Sequence, residues 1–210
     1  MKRLFIIGAG GHGKVVADIA ENMCCYDEIH FLDDARAPGE ICGSSKVWGS
    51  ISDGMQHIPE SDFFVAIGNA SVRKKITEDL ERAGANIPIL IHPKAIIARD
   101  CLIGVGTVVM AGTVINSGCR IGKGVIVNTA ASVDHDNVIG DFSHISVGAH
   151  LAGTVHIGEK VWIGIGATVS NNLSITDDVM IGAGAVVISD IEKSGTYIGV
   201  PAVLQRESEE

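Results

Sequence analysis

From Ile103 to Val187 an aliphatic residue stands at every sixth position without a break. The series runs Ile103, Val109, Ile115, Ile121, Val127, Val133, Ile139, Ile145, Leu151, Ile157, Ile163, Val169, Ile175, Ile181, Val187. Two positions before most of these sits a small or aliphatic residue, among them Thr107, Thr113, Cys119, Ala131, Ser143, Ala149 and Ala167. Helices repeat near 3.6 and simple strands near 2, so neither accounts for a fixed period of six. Short strands joined by tight bends do account for it. Each hexad then makes one flat side of a coil and sends two side chains into a narrow core, the pattern of a β-helical solenoid.

Gly104, Gly122, Gly140 and Gly158 are spaced by eighteen, as are Gly164 and Gly182. Eighteen is three hexads, so three sides close one turn of a triangular prism. Equivalent residues stack from coil to coil at about 4.8 Å, the spacing of paired strands. The matching glycines are expected at corners whose backbone angles a β-carbon would resist. A prism this narrow has little room for large rings, and only 4% of the chain is aromatic while 26 residues are glycine.

The formal charge of −9 argues against a grip on a nucleic-acid backbone. No apolar run reaches the roughly 18–20 residues of a membrane span. The apolar stretch after Lys2-Arg3 breaks at a glycine-rich turn, so it reads as a buried strand and not as a signal peptide. The five cysteines form no CxxC pair and no zinc-ligand spacing, and a cytoplasmic location without a metal is expected. Cys101 and Cys119 stack eighteen apart and read as small core fillers.

Residues 1–90 lack the six-residue period and form a different domain, with residues 91–210 as the solenoid and a short C-terminal tail. Residues 3–7 read as a strand, 14–22 as a helix with Val15, Val16, Ile19 and Ala20 on its apolar face, and 28–32 as a second strand. A third strand is expected over 62–67, a helix capped by Ser71 over 72–83, and a short last strand over 88–91. Strands alternating with helices indicate a small parallel α/β, Rossmann-like unit. Gly8, Gly10 and Gly13 satisfy GxGxxG between a strand and a helix, which suits backbone amides facing a phosphate. Asp33, twenty residues beyond Gly13, stands where a dinucleotide fold keeps its ribose-binding acid. NAD, a nucleotide or nucleotide sugar, and a ligand-free glycine turn are the three readings; the unit is short for both halves of a dinucleotide.

Outward positions carry the chemistry of a filled prism. Asp134-His135-Asp136 follows inward Val133, which puts His135 at or near a corner. An imidazole beside carboxylates suits a general base near neutral pH, while a solvated surface histidine is the plainer alternative on chemistry alone. His144 precedes inward Ile145 and also faces out, nine residues from His135 and so on another side of the prism. If both serve one reaction, the site lies between neighbouring copies, and three prisms side by side make three such clefts. Trp162, one coil beyond His144, adds apolar surface suited to that interface, so a homotrimer is expected.

These hexads, ending in Gly199-Val200-Pro201-Ala202, resemble the hexapeptide acyltransferases, left-handed parallel β-helices that act as trimers on acetyl-CoA. The likeness extends over nearly the whole chain. It takes in the Ile-Gly-Ala-Gly-Gly-His-Gly opening, Phe31-Leu32-Asp33-Asp34, Ala66-Ile67-Gly68-Asn69, Arg73-Lys74-Lys75, Asn128-Thr129, Asp134-His135-Asp136 and the stretch from Gly140 to Ala152. Together these resemble the bacterial sugar acetyltransferases related to sialic-acid O-acetyltransferase, most of all the UDP-4-amino-sugar N-acetyltransferases of the bacillosamine pathway.

The resemblance implies that His135 is the catalytic base and Asp136 the acid that raises its basicity. It implies acetyl-CoA contacts at His144 and at the backbone of Ile165 and Ala183. It places the sugar nucleotide's phosphates at Gly10, Gly11 and His12, its uridine end near Asp33 and Asp34, and counts Gly68 and Asn69 among the substrate-binding residues. The NAD reading of the glycine turn is thereby displaced. The competing readings are O-acetylation of sialic acid, N-acetylation of a GDP-perosamine-type sugar, and a non-catalytic nucleotide-sugar-binding protein.

Overall fold

The computed structural model describes residues 1–58 and 60–205. Residues 206–210, at the end of the expected C-terminal tail, lie outside the described residues. The chain forms two compact units, one of Met1–Pro93 with Val105–Val108 and one of Lys94–Gly104 with the rest from Val109 onward.

The first unit is a small α/β layer. Its elements are β1 (Arg3–Ile7), α1 (Gly11–Asn22), β2 (Glu28–Leu32), β3 (Ile41–Cys42), β4 (Ser45–Gly49), α2 (Ile51–Met55), β5 (Ser61–Val65), α3 (Ala70–Arg82) and β6 (Leu90–Ile91). The sheet order is β3-β4-β2-β1-β5, with β4, β2, β1 and β5 parallel and β3 paired antiparallel to β4. β1 sits centrally and four of its five residues are buried, so it carries a continuous apolar run. Phe5, Ile7, Leu32, Phe63, Val65 and Leu80 make the core on one face.

Several expectations for this unit need correction. Helix α1 starts at Gly11, because the Lys14 N–H already closes a turn on the Gly10 carbonyl at 3.1 Å. Ala17 is buried on its inner face, and Val15 is 41% exposed. The strand expected over 62–67 runs Ser61–Val65, and the last strand, expected over 88–91, is only Leu90–Ile91 and takes no part in this sheet. Helix α3 is capped by Asn69, whose side-chain oxygen accepts the Val72 N–H at 3.0 Å, so Ser71 lies inside the first turn. The stretch between Asp34 and β5, to which the sequence assigns no element, holds the β3–β4 hairpin and α2. Ser50 caps α2 in a reciprocal box with Asp53.

The second unit is a left-handed parallel β-helix with three sheets. One sheet stacks the strands that begin at Ile96, Val114, Ser132, His150, Thr168 and Val186. The next stacks Leu102, Arg120, Val138, His156 and Ser174, and the third carries Ile126, His144 and Trp162. Each strand pairs with the one eighteen residues on, as Ser132 does with His150 and His144 with Trp162. The aliphatic series from Val109 to Val187 points inward, with no member more than 4% exposed. Burying one such side chain contributes about 1.5–3 kcal/mol. A charge at any of these positions would therefore break its coil.

The corners correct one expectation. Gly104, Gly122, Gly140 and Gly158 do not adopt positive φ. Their role is close approach: a β-carbon at Gly104 would stand 2.6 Å from the Gly122 carbonyl carbon, and one at Gly140 2.4 Å from that of Gly158. The left-handed corners lie two residues later, every sixth position from Gly106 to Gly184, and include Ala130, Asp136, Phe142, Thr154, Lys160, Asn172 and Asp178. Half of them carry a β-carbon, so glycine spacing alone does not reveal where the chain bends.

Candidate active site

His135 lies at the bend between the strands Ser132–Val133 and Val138–Ile139. Its Nδ1 stands 2.9 Å from Asp136 Oδ2. A carboxylate only accepts, so Nδ1 carries the hydrogen and Nε2 keeps its lone pair. Hydrogen bonding to Asp136, opposed by partial desolvation and helped by the charges of Asp134 and Asp136, raises the imidazole pKa above its ordinary value. Asp134 acts differently. Its Oδ1 accepts the Asn116 side-chain amide and the His135 backbone N–H, both at 2.8 Å, and those bonds hold its carboxyl below the usual range.

Asp136 sits at φ 58°, but so do its counterparts at the other bends. The left-handed angle therefore belongs to the fold and not to the chemistry. The seat of the pair is more specific. A β-carbon at Gly153, eighteen residues after His135, would stand 2.4 Å from His135 Nε2. One at Gly118, eighteen before Asp136, would stand 2.3 Å from Asp136 Oδ1. The imidazole and its carboxylate thus nest against two glycines in the flanking coils. Neither glycine was singled out from the sequence, although the spacing of eighteen from His135 and Asp136 marks both.

His144 is in the strand His144–Ile145, on a different sheet from the His135 bend. The expectation that it faces outward needs one amendment: it is only 8% exposed. Its ring lies 4.4 Å from that of Trp162, and Asn128 Nδ2 is 3.0 Å from its Nε2. Ile165 and Ala183 are both exposed and stacked one coil apart at a bend beyond that strand; the Ile165 carbonyl accepts the Gly184 N–H at 2.8 Å. Ile165 and Ala183 therefore share the corner that follows the sheet of His144 and Trp162, while His135 and Asp136 lie at the bend after another sheet.

In the first unit, Gly10 caps α1 without a side chain, and among the described residues nothing beyond the adjoining backbone lies within 4 Å of where a β-carbon on Gly10 or Gly11 would stand. Gly13 is packed, its hypothetical β-carbon only 2.0 Å from the Gly8 carbonyl oxygen. The helix therefore presents bare amides at its N-terminus, an arrangement that attracts anions. His12 turns inward. Burial, and then the neighbouring Arg73 guanidinium, lower its pKa to about 4, so it is neutral at physiological pH. Arg73 is itself 1% exposed and donates to the Ile67 and Gly68 carbonyls at 2.8 Å each.

Asp33 accepts the Ala9 N–H at 2.8 Å and the Ala35 N–H at 2.9 Å, tying the glycine turn to the end of β2. Asp34 accepts the Ile51 N–H at 2.9 Å. Beside it opens a cavity of about 480 Å³ lined by Asp34, Ile51, Met55, Val72, Lys75 and Ile76, among others. Gly68 and Asn69 follow β5, and the Asn69 side chain is engaged in capping α3. Among the described residues, no group of three His, Cys, Asp or Glu is placed to share a metal ion, and no helix is long and apolar enough to cross a membrane. All five cysteines are free thiols, with Cys119 fully buried as a core filler.

Comparison with known proteins bears on this geometry. Residues 3–80 match the family model of the PglD N-terminal domain. The acetyltransferase domain of PglB from Neisseria gonorrhoeae superposes with a TM-score of 0.92 at 43% identity, covering 97% of this chain and 99% of that one. The chain belongs to this family of PglD-like sugar acetyltransferases. The same Neisseria domain is known in complex with acetyl coenzyme A. A further family member, PerB from Caulobacter crescentus, in complex with CoA and GDP-perosamine, matches at 34% identity and TM-score 0.90 over 97% of both chains. UDP-N-acetylbacillosamine N-acetyltransferase of Bacillus subtilis is 37% identical over 116 residues, 53% of this chain. That match spans about half of the Bacillus protein, 52% of its length.

Proposed function

We propose that the chain transfers the acetyl group of acetyl-CoA to the 4-amino group of a UDP-linked amino-dideoxy sugar, with His135 as general base. The observation that carries this reading is the His135–Asp136 pair, seated on Gly153 and Gly118 with Nε2 left to accept a proton. The family relatives supply the chemistry, one bound to acetyl-CoA and another named for UDP-N-acetylbacillosamine. The amine lone pair attacks the thioester carbonyl, and His135 Nε2 removes the amine proton as the tetrahedral intermediate forms. Collapse of that intermediate expels the CoA thiolate, which takes the proton back from the imidazolium. Backbone N–H groups suit the oxyanion.

The first unit grips the nucleotide sugar. The bare amides of Gly10, Gly11 and His12 face the diphosphate, with His12 neutral and contributing its backbone. Asp33 serves by fixing the glycine turn, and Gly68 and Asn69 shape the neighbouring loop. Asp34 borders the 480 Å³ cavity, whose apolar walls and carboxylate suit a uracil ring. In the β-helix, His144 and the backbone at Ile165 and Ala183 hold acetyl-CoA. Since those residues lie at a different corner from His135, the active site joins His135 of one copy to His144 of the next, and the working form is a homotrimer. Domains at 1–90 and 91–210 divide these tasks. The substrates and the unpaired thiols fit a cytoplasmic enzyme.

The direct test is His135→Ala. The variant should keep its circular dichroism and sedimentation and lose about 10²–10⁴-fold in thiol release from acetyl-CoA, the range for a positioned base. A near wild-type rate overturns the assignment. Thiol release with UDP-linked and not GDP-linked 4-amino sugars is the expected specificity.

A further inference from the structure

Inward residues of the prism are mostly aliphatic or small, and the few polar ones tie one coil to the next. Ser143 shows the usual form: its hydroxyl donates to the Gly158 carbonyl at 2.8 Å and accepts the Val161 N–H at 3.0 Å. Cys119 and Thr113 make the first of these contacts, to the carbonyls of Asp134 at 2.9 Å and Asn128 at 3.0 Å. Asn137 occupies the corresponding place under the His135 bend and is fully buried. It repeats the pattern, with Nδ2 donating to the Ala152 carbonyl at 2.9 Å and Oδ1 accepting the Val155 N–H at 3.1 Å. Its carboxamide also reaches backward. Nδ2 donates to the Asp134 carbonyl at 2.7 Å and, more weakly, to that of His135 at 3.3 Å.

Those two extra bonds have no counterpart at Ser143, Cys119 or Thr113. They fall on the peptide units on either side of the His135 α-carbon. The forward bonds go to residues 152 and 155, which flank Gly153, the glycine on which the imidazole rests. One buried side chain therefore fixes both the bend that carries the ring and the floor beneath it. The His135 carbonyl is held from a second side by the Thr154 N–H at 2.9 Å.

We propose that Asn137 is a positioning residue for the general base, locking the bend of residues 134–136 against Gly153 so that the His135 ring stays on Asp136. This rests on His135 being the base. Every hydrogen bond of the Asn137 carboxamide goes to backbone, so its role is geometric: a shift of about 1 Å in a catalytic group is enough to cost up to 10²-fold in rate. The charges acting on the ring are Asp134 and Asp136 of its own bend, while the flanking coils present Gly153 below and Ser117 above.

The test uses Asn137→Ser and Asn137→Cys in the full-length protein, residue types that this prism already accepts at 143 and 119. Serine keeps the forward bonds, as Ser143 does, and removes the backward ones. The expected result is a folded protein with kcat about ten-fold lower and KM for acetyl-CoA unchanged. The acid limb of the pH–rate profile should also move to lower pH, because a ring less firmly held on Asp136 is a weaker base. Wild-type kcat with an unmoved profile overturns the proposal, as does failure of both variants to fold, which would make Asn137 a purely structural clamp. His135→Ala run alongside separates the two claims. If it retains activity the base assignment fails, and if it alone loses activity only the role of Asn137 fails.

Discussion

Glycine makes room in both units of this protein, and what fills the room differs. At the head of α1, Gly10 and Gly11 leave space that no other described residue enters, while Gly13 lets the helix touch the Gly8 carbonyl. On the prism, Gly153 and Gly118 leave space that the chain itself fills, with the His135 imidazole and the Asp136 carboxylate. The first arrangement offers backbone to a ligand, and the second seats a side chain. Side chains near the glycine turn are correspondingly engaged in holding loops: Asp33 on Ala9, Asp34 on Ile51, Asn69 on Val72 and Arg73 on Ile67.

That contrast is open to challenge by adding single methyl groups. Gly153→Ala should have the largest effect on rate, about 10²-fold in kcat with little change in melting temperature, because the new methyl displaces the ring and leaves the backbone alone. Equal losses in kcat and in stability would mean that Gly153 serves coil packing instead. Asp136→Asn should lower kcat about ten-fold and shift the acid limb of the profile to lower pH. The sign follows from the raised imidazole pKa: the base is active above that pKa, and removing the carboxylate lets it fall. An unshifted limb would detach Asp136 from the base.

In the first unit the effects should be on binding and stability. Gly10→Ala should leave thermal stability unchanged and raise KM for the nucleotide sugar about ten-fold, since a methyl there meets only what the amides bind. Gly13→Ala should do the reverse, costing about 1–3 kcal/mol because the obstacle is backbone. If both substitutions act alike on KM and stability, the distinction between cradle and packing glycine is wrong.

The legibility of the two units differed for the same reason. On the prism one period of six identified the buried series, the sheet stacking and the separation of His135 from His144. It did not locate the bends, because Asp136, Phe142 and Thr154 take left-handed angles without glycine. Nor did it show that His144 is covered, since Trp162 and Asn128 approach it across coils. Asn137 was recognisable as inward, being two residues before Ile139, but its backward bonds depend on the shape of the bend.

In the α/β unit the central strands were plain from their apolar runs. The hairpin of β3 and β4 was not, because its burial alternates over only a few residues around Gly43-Ser44. For the cap of α3 the sequence points to Ser71, two residues after the Asn69 that fills the role. Asn69 and Ser71 are both good capping residues, and only the backbone angles at Asn69 decide between them.

The central claim, that neighbouring copies complete each site, is tested most directly by subunit complementation. His135→Ala and His144→Ala proteins, each disabled alone, are unfolded together in equal amounts and refolded. If each interface draws its two partners at random, about one in four joins an intact His135 to an intact His144, and about a quarter of wild-type activity returns. Mixed protein no more active than the separate variants, from a preparation shown to contain mixed oligomers, would place both histidines of a site on one chain and contradict the account.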